Sequence, residues 1–213
     1  RMSASQVAKV YANPNHEVAN HCLTHANLTE ISPVDVVREV MADRLNLEAM
    51  FGGVIRGLAY PFGTYSDTVV DALKNTGVAY ARTVNSTNGF YIPQDWLRLH
   101  PTCHHAAPNL PALCDRFLND TANFASLLFY LWGHSYEFTD KNNWDLIETF
   151  CKKMGGKDDI WYATNIEIID NMEVCKRLQF SADGSFVYNP SAASAWLNVG
   201  GEIVEVKGGT TVS

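Results

Sequence analysis

The sequence lacks any run of three or more lysine or arginine residues, and its 213 residues carry a formal net charge of -7. Proteins that bind nucleic acid or anionic membranes generally present a concentrated basic patch to the phosphates. We therefore expect neither nucleic acid nor a membrane as a partner. Neutral or weakly charged ligands are compatible with this composition.

Cysteine pairs at metal-site spacing are also absent. The five cysteines are odd in number, widely spaced and include no Cys-x-x-Cys pair, which indicates neither a disulfide framework nor a ribbon-type zinc site. The longest apolar runs fall well short of the ~20 residues that a membrane span requires. We expect a soluble chain with free thiols, which favours the cytoplasm, although a chain that opens at Arg1 leaves export undecided.

Strand, loop and helix units alternate through the first 178 residues, and this alternation predicts an α/β fold with a parallel sheet or barrel. With 46% hydrophobic and 18% charged residues, the chain can bury one sizeable core. The predicted helices are 3–11, 33–51, 67–75, 112–119, 144–154 and 166–178. The predicted strands are 17–20, 54–60, 78–84, 126–132 and 160–163.

The pattern changes after residue 178. Short alternating runs separated by Asp183-Gly184, Asn189-Pro190, Gly200-Gly201 and Gly208-Gly209 predict a small antiparallel β appendage. The predicted domains are therefore a barrel-type domain at 1–178 and a β extension at 179–213.

His21 and His25 lie four residues apart, after a short predicted strand. If the segment after Asn20 is helical, both imidazoles project from one face and can reach a single metal ion. A His-x-x-x-His pair alone is equally compatible with two ordinary histidines that are satisfied by hydrogen bonds.

Further candidate groups follow other predicted strands. His134 comes directly after the apolar run 126–132, and His104-His105 follow Cys103 in a loop-rich stretch. In parallel α/β folds, reactive groups collect at the carboxyl ends of strands. Adjacent residues diverge in direction, so we expect at most one of the two neighbouring histidines to point into a metal site.

Aromatic residues provide candidate ligand contacts. Tyr60-Pro61 follows the predicted strand 54–60 and forms a turn, and Asp95-Trp96 lies in the loop-rich stretch. Aromatic rings near the mouth of a site often stack on sugars, although a partly buried loop residue is the simpler interpretation of Trp96.

The order of three stretches resembles the polysaccharide deacetylases of carbohydrate esterase family four. These stretches are 20–25 (NHCLTH), 58–63 (LAYPFG) and 131–134 (LWGH). The resemblance covers roughly residues 10–170. It implies a distorted (β/α) barrel, a divalent metal ion usually taken as zinc, and hydrolysis of N- or O-acetyl groups on sugars.

The same resemblance assigns roles to individual residues. It implies that His21 and His25 are metal ligands and that His134 is the general acid toward the leaving amine or alcohol. It places Tyr60 and Pro61 along one wall of the substrate groove, where the Tyr60 N–H is the first candidate for an oxyanion donor. Trp132 stands where the family commonly has leucine at the floor of the acetyl pocket.

Two features depart from the family pattern. No arginine matches the one that many members have before the proline-glycine turn, and Arg98 is the available substitute. The family also places an Asp-Asp pair upstream of the histidines, as metal ligand and catalytic base, whereas the 20 residues before His21 contain no aspartate. We therefore predict an N-terminally incomplete barrel whose aspartates come from a missing segment or a second chain.

The predicted function is metal-dependent deacetylation of an acetylated carbohydrate. Two alternatives are open at this point. The absent acid pair and the aromatic loops also permit a non-catalytic carbohydrate-binding protein on a degenerate barrel. A third hypothesis is an amidase that acts on small acylated amides.

Overall fold

The computed structural model describes residues 2–120 and 126–213. The chain forms two compact units, Arg1–Tyr162 and Ala163–Ser213. The sequence-based boundary after residue 178 differs from this division by one helix, which belongs to the second unit. The assignment of a barrel-type domain and an extension stays a prediction.

Six helices belong to the first unit as far as it is described, and side-chain caps explain where three of them begin. Ser3, Ser32 and Ser66 each accept a hydrogen bond from a backbone N–H in the first turn, and Gly52 ends the second helix with a φ of 73°. The helices are α1 (Ala4–Tyr11), α2 (Pro33–Phe51), α3 (Asp67–Leu73), α4 (Leu110–Leu118), α5 (Ser135–Asp140) and α6 (Trp144–Met154).

The strands of the first unit are short and parallel. They are β1 (Gly57–Ala59), β2 (Tyr80–Arg82), β3 (Cys103–His104) and β4 (Leu131–Trp132). Strand β1 pairs with β2, and β3 pairs with β4. Single parallel bridges extend this order, because Asn20 pairs with Leu58 and Leu99 pairs with Arg82. The backbone therefore runs parallel at five neighbouring positions, which we call the arc. Their order is residue 20, β1, β2, residues 99–104 with β3, and β4.

Helices α2 and α3 cover one part of this arc. Val36 and Val40 of α2, with Val69 and Leu73 of α3, form a buried cluster with Leu58 of β1. A second cluster joins β3 and β4 to α4 and α6. The predicted mixture of helices and parallel strands is confirmed, whereas the described residues contain no closed barrel.

The second unit contains α7 (Asn165–Arg177) and two small antiparallel sheets, which confirms the predicted β appendage. One sheet joins β5 (Gln179–Phe180), β6 (Val187–Tyr188) and β9 (Thr211–Val212). The other is a hairpin of β7 (Ala195–Val199) and β8 (Glu202–Val206). Gly200 and Gly201 connect its strands with φ values of 62° and 96°, which glycine adopts without steric cost.

Several sequence-based assignments differ from the structure. Of the predicted strand 17–20 only the bridge at Asn20 is present, and strand β3 was not predicted. Residues 160–163 form no strand, because Trp161 and Tyr162 are exposed and the Tyr162 hydroxyl is hydrogen-bonded to the end of α6. Helix α5 was not predicted. The predicted strand 126–132 is reduced to its last two residues. None of the described helices is long and apolar enough to cross a membrane.

Candidate active site

The carboxyl ends of the parallel strands bring several candidate residues to one edge of the arc. His21 follows the bridge residue Asn20, Tyr60 follows β1, and His134 lies two residues beyond β4. His105 follows β3 directly. The candidate residues therefore follow parallel strands as expected, whereas their role in one reactive site stays a prediction.

His21 and His25 lie side by side, but not on a helix as the sequence suggested. Residues 20–25 form a loop in which Cys22 and His25 have φ values of 66° and 58°. The two imidazole rings meet edge to face, with their centroids 4.7 Å apart. Nδ1 of His21 donates to the carbonyl oxygen of Ala59 at 2.7 Å, so the Nε2 lone pair of His21 is available to a metal ion.

Side chains hold this loop on helix α2. Asn20 is 1% exposed, donates from Nδ2 to Val40 O at 2.7 Å and accepts at Oδ1 from the Cys22 N–H at 2.9 Å. The backbone N–H of His21 donates to Asp43 Oδ2 at 2.9 Å. These contacts replace the helical turn that the four-residue spacing suggested, and they place both imidazoles.

Replacing Asn20 by alanine is therefore expected to destabilise the chain by about 2 kcal/mol, because it leaves the N–H of the buried Cys22 without its acceptor and removes the contact to α2. Urea unfolding measures this free energy. Asn75→Ala is the matched control, since Asn75 is exposed at the end of α3 and should change stability by less than about 0.5 kcal/mol. Equal effects of the two substitutions would contradict the role given to Asn20.

The electrostatics of the loop favour metal ligation by imidazole and disfavour ligation by thiolate. Burial lowers the pKa of His21, and the neighbouring His25 and Arg82 lower it further. Only the neutral imidazole binds a metal ion. Burial raises the pKa of Cys22 to about 12, so this thiol stays protonated and is not a candidate ligand.

A second group of side chains surrounds Glu137 in the first turn of α5. We call His104, His105, His134 and Glu137 the histidine–glutamate cluster. His134 Nδ1 lies 2.6 Å from Glu137 Oε1, and His104 Nε2 lies 3.3 Å from the same oxygen. His105 Nε2 lies 3.4 Å from Glu137 Oε2. Both neighbouring histidines therefore face one carboxylate, but only His104 belongs to a group of potential metal ligands, so the expectation that at most one of them points into a metal site stays a prediction.

Glu137 fixes the tautomer of His134. The hydrogen bond from His134, and after it the positive charges around the carboxylate, lower the pKa of Glu137 to about 2. An ionised carboxylate only accepts hydrogen bonds, so Nδ1 of His134 is the donor. Nε2 of His134 is then the ring nitrogen that is free to exchange a proton with a substrate.

Three members of the cluster, His104, His134 and Glu137, form the only group of three potential metal ligands within residues 2–120 and 126–213. Their hydrogen bonds oppose ligation in this arrangement. Nδ1 of His104 accepts from the backbone N–H of Ala106 at 3.1 Å, so the neutral ring carries its proton on Nε2, the atom that faces Glu137. His21 therefore has the tautomer that metal ligation needs, whereas the cluster offers the larger number of potential ligands.

The predicted groove residues Tyr60 and Pro61 are buried. Tyr60 is 0% exposed, and its hydroxyl donates to Leu97 O at 2.8 Å. Its N–H donates to the carbonyl oxygen of Arg82 at 3.0 Å. Because this N–H belongs to the sheet, its suggested use as an oxyanion donor was wrong. The ring is a core residue, and its packing gives no support to a substrate contact.

The two tryptophans differ in their surroundings. Trp96 is half-buried at the start of a short 3₁₀ helix, Trp96–Arg98. Trp132 lines a cavity of about 380 Å³ together with Arg82, His105 and His134. Its ring lies 5.7 Å from that of His134, measured between centroids.

Arg82 and Glu137 are site residues that the sequence did not suggest, and Arg98 does not take the place of Arg82. Arg98 forms ion pairs with Asp95 and Asp67. The Arg82 guanidinium carbon instead lies 4.9 Å from the centroid of the Trp132 ring, at the cavity. Its position at the carboxyl end of β2 was the available signal, since strand ends supply the site residues of parallel sheets.

Comparison with known proteins assigns the N-terminal part of the chain. Residues 1–81, which include the histidine pair and the Tyr60-Pro61 turn, match the family model described as polysaccharide deacetylase. We call this stretch, by its similarity to the polysaccharide deacetylases, the deacetylase segment. The resemblance noted in the sequence is thereby confirmed, and the deacetylase segment contains both predicted metal ligands.

A curated relative of the deacetylase segment is a chitooligosaccharide deacetylase from Sinorhizobium fredii, with 32% identity over 104 residues. The match covers 48% of this chain and 41% of the relative, so the chain spans less than half of that protein's length.

Solved structures that resemble the chain are more distant. A deacetylase from Streptococcus pyogenes, in complex with acetate, has 20% identity and a TM-score of 0.41, covering 47% of this chain and 43% of its own. A CE4 family pseudoenzyme from Bacillus anthracis has 22% identity and a TM-score of 0.42, covering 71% of this chain and 47% of its own. Scores of this size establish no common fold.

Proposed function

We propose that this chain hydrolyses acetyl groups on an acetylated sugar or polysaccharide, with a divalent metal ion, expected to be zinc, held by His21 and His25. The deacetylase segment and the chitooligosaccharide deacetylase relative support this function. The five parallel positions support a distorted (β/α) barrel as the architecture.

The observation that carries the proposal is the pair formed by His134 and Glu137. A general acid must hold its proton on the nitrogen that faces the leaving group. Glu137 Oε1 accepts a hydrogen bond from Nδ1 of His134 at 2.6 Å. The His134 side chain is 45% exposed on the wall of the cavity. Nε2 of the doubly protonated His134 ring is therefore the nitrogen that gives its proton to the leaving amine or alcohol, while Nδ1 keeps its proton on Glu137.

The other proposed site residues bind the metal ion and orient the substrate. A bound divalent ion polarises the acetyl carbonyl and lowers the pKa of a water molecule. His21 offers Nε2 to that ion while Ala59 O holds its Nδ1–H. Trp132 packs beside His134 at the cavity and is the proposed floor for the acetyl group. Trp96 is a second proposed sugar contact.

One observation favours the alternative of a non-catalytic carbohydrate-binding protein. No carboxylate of residues 2–120 or 126–213 joins His21 and His25 in a group of three ligand atoms. Two histidines alone make a poor zinc site, because catalytic zinc usually has three protein ligands. The alternative predicts sugar binding without acetate release.

Acetate release tests the two functions directly. The chain is incubated with zinc and N-acetylated chito-oligosaccharides, acetylxylan or a simple acetamide, and free acetate is quantified. We expect release from a sugar substrate and none after chelation. Release only from the acetamide would support the amidase hypothesis, and sugar binding without release would support the non-catalytic alternative.

A further inference from the structure

We propose that the cavity beside His134 binds a carboxylate group. We call Arg82, His105 and the indole of Trp132, with Gly133, the carboxylate pocket. The substrate class that we infer from this pocket is an acetylated sugar that carries a carboxylate, and this part of the inference rests on the proposed function. The binding site itself stands on the geometry of these residues.

Arg82 brings a cation without a counter-charge to the cavity. Its guanidinium lies over the Trp132 ring, and the hydrogen bond recorded for it is a long one, 3.4 Å, to Thr83 O. Arg44 and Arg98, by contrast, have the acidic partners Glu48 and Asp95. No described carboxylate lies within 4.0 Å of the Arg82 guanidinium. A half-buried guanidinium with several unused N–H groups is costly unless an anion joins it.

His105 and Trp132 add buried polar atoms that point to a ligand. The His105 side chain is only 3% exposed, and neither of its ring nitrogens has a hydrogen-bond partner among the described residues. Its Nε2 approaches Glu137 Oε2 at 3.4 Å without forming a hydrogen bond. The indole N–H of Trp132 is also buried without an acceptor. Such orphaned buried groups are rare in proteins.

Gly133 provides the room between these groups. A Cβ atom at this position would lie 1.9 Å from Cδ2 of His105. Only glycine therefore lets β4 pass the His105 ring at this distance. The imidazole and the indole consequently line the same cavity as Arg82.

The donor set selects the chemistry of the ligand. The guanidinium and the indole only donate hydrogen bonds, so their partner must be an acceptor. A planar carboxylate accepts two parallel N–H groups from a guanidinium, which also provides charge compensation. The cavity, at about 380 Å³, is in the size range of small-molecule sites. Two carboxylates can reach it: one carried by the sugar, and the acetate that the reaction releases.

Binding measurements with glucuronate and glucose test the pocket, because these sugars differ by one carboxylate. Calorimetry with the full chain is expected to show at least about tenfold tighter binding of glucuronate, the size expected for a charged hydrogen bond. Binding of acetate but not glucuronate would make the pocket a product site and overturn the substrate class. Equal binding of glucuronate and glucose, or tighter binding of inorganic phosphate, would overturn the carboxylate pocket.

Arg82→Gln should abolish the preference for glucuronate over glucose, and Arg82→Lys should keep part of it because the charge remains. Arg98→Gln is the matched control, since Arg98 is paired with Asp95 and Asp67 and does not line the cavity. If Arg82→Gln retains the preference, or Arg98→Gln removes it, the assignment is wrong. These measurements need no turnover, so a failure to release acetate leaves their outcome intact.

Discussion

Substitution of His134 by alanine is expected to slow acetate release about 10²–10⁴-fold, the usual contribution of general acid–base catalysis, while zinc stays bound. The reason is that His134 donates a proton through Nε2 and its Nδ1 is already engaged by Glu137. Release rates and metal content by elemental analysis are measured on the same sample. Unchanged turnover would refute the role of His134 as the acid.

Metal content separates two arrangements of the site. If His134→Ala loses zinc, the ion is held by His104, His134 and Glu137 instead of the histidine pair. Glu137→Gln provides the companion measurement, because the amide keeps the shape of the side chain but removes its charge. We expect a smaller loss of rate than for His134→Ala. Glu148→Gln, an exposed change on α6, is the control and should leave the rate unchanged.

The pH–rate profile gives a readout that a merely structural role of Glu137 would not change. Its pKa in the folded chain, about 2, lies below the ordinary value of 4.5, so its charge is fully present above pH 4.5 and is lost only as the pH falls toward 2. Glu137 itself therefore contributes no inflection between pH 5 and 9. Loss of rate is therefore expected only as the pH falls toward 2, whereas Glu137→Gln should show the lower rate at every pH, because the negative charge beside His134 is gone.

Sequence spacing predicted that His21 and His25 lie close together, which is confirmed, but for an incorrect local reason. A four-residue interval places two side chains on one face of a helix. The structure achieves the same proximity with two left-handed residues and a buried asparagine. Asn20 gives no periodic signal, because its effect depends on Val40, a residue twenty positions away. The proposed role of the two histidines does not depend on this local structure, because the family order of motifs is the same for a helix or a loop.

Pairing between distant strands hid the remaining site residues. Arg82 and Trp132 are fifty residues apart, and His105 meets Glu137 only because β3 lies beside β4. Glu137 had one local signal, the His-x-x-Glu spacing at the start of α5. The burial of Tyr60 had no such signal, since an aromatic residue before proline fits a groove wall and a core equally well.

Replacement of His21 by alanine is expected to weaken zinc binding by more than about a hundredfold and to stop acetate release. Loss of an outer-shell partner alone typically costs 10–100-fold in metal affinity, so loss of a direct ligand should cost more. Zinc competition with a chelating dye measures the affinity. His16→Ala is the matched control, because His16 is bonded to Val10 O at the exposed end of α1.

The comparison of His21→Ala with His134→Ala separates an enzyme from a binding protein on the same frame. In the proposed enzyme, His21→Ala loses metal and turnover together, whereas His134→Ala loses turnover alone. In the non-catalytic alternative, the chain releases no acetate with or without either substitution. Substitution of Trp132 is then the change that weakens sugar binding. If His21→Ala retains zinc, the metal site is the histidine–glutamate cluster instead. Ligation by His104 Nε2 then requires the ring proton to leave that nitrogen.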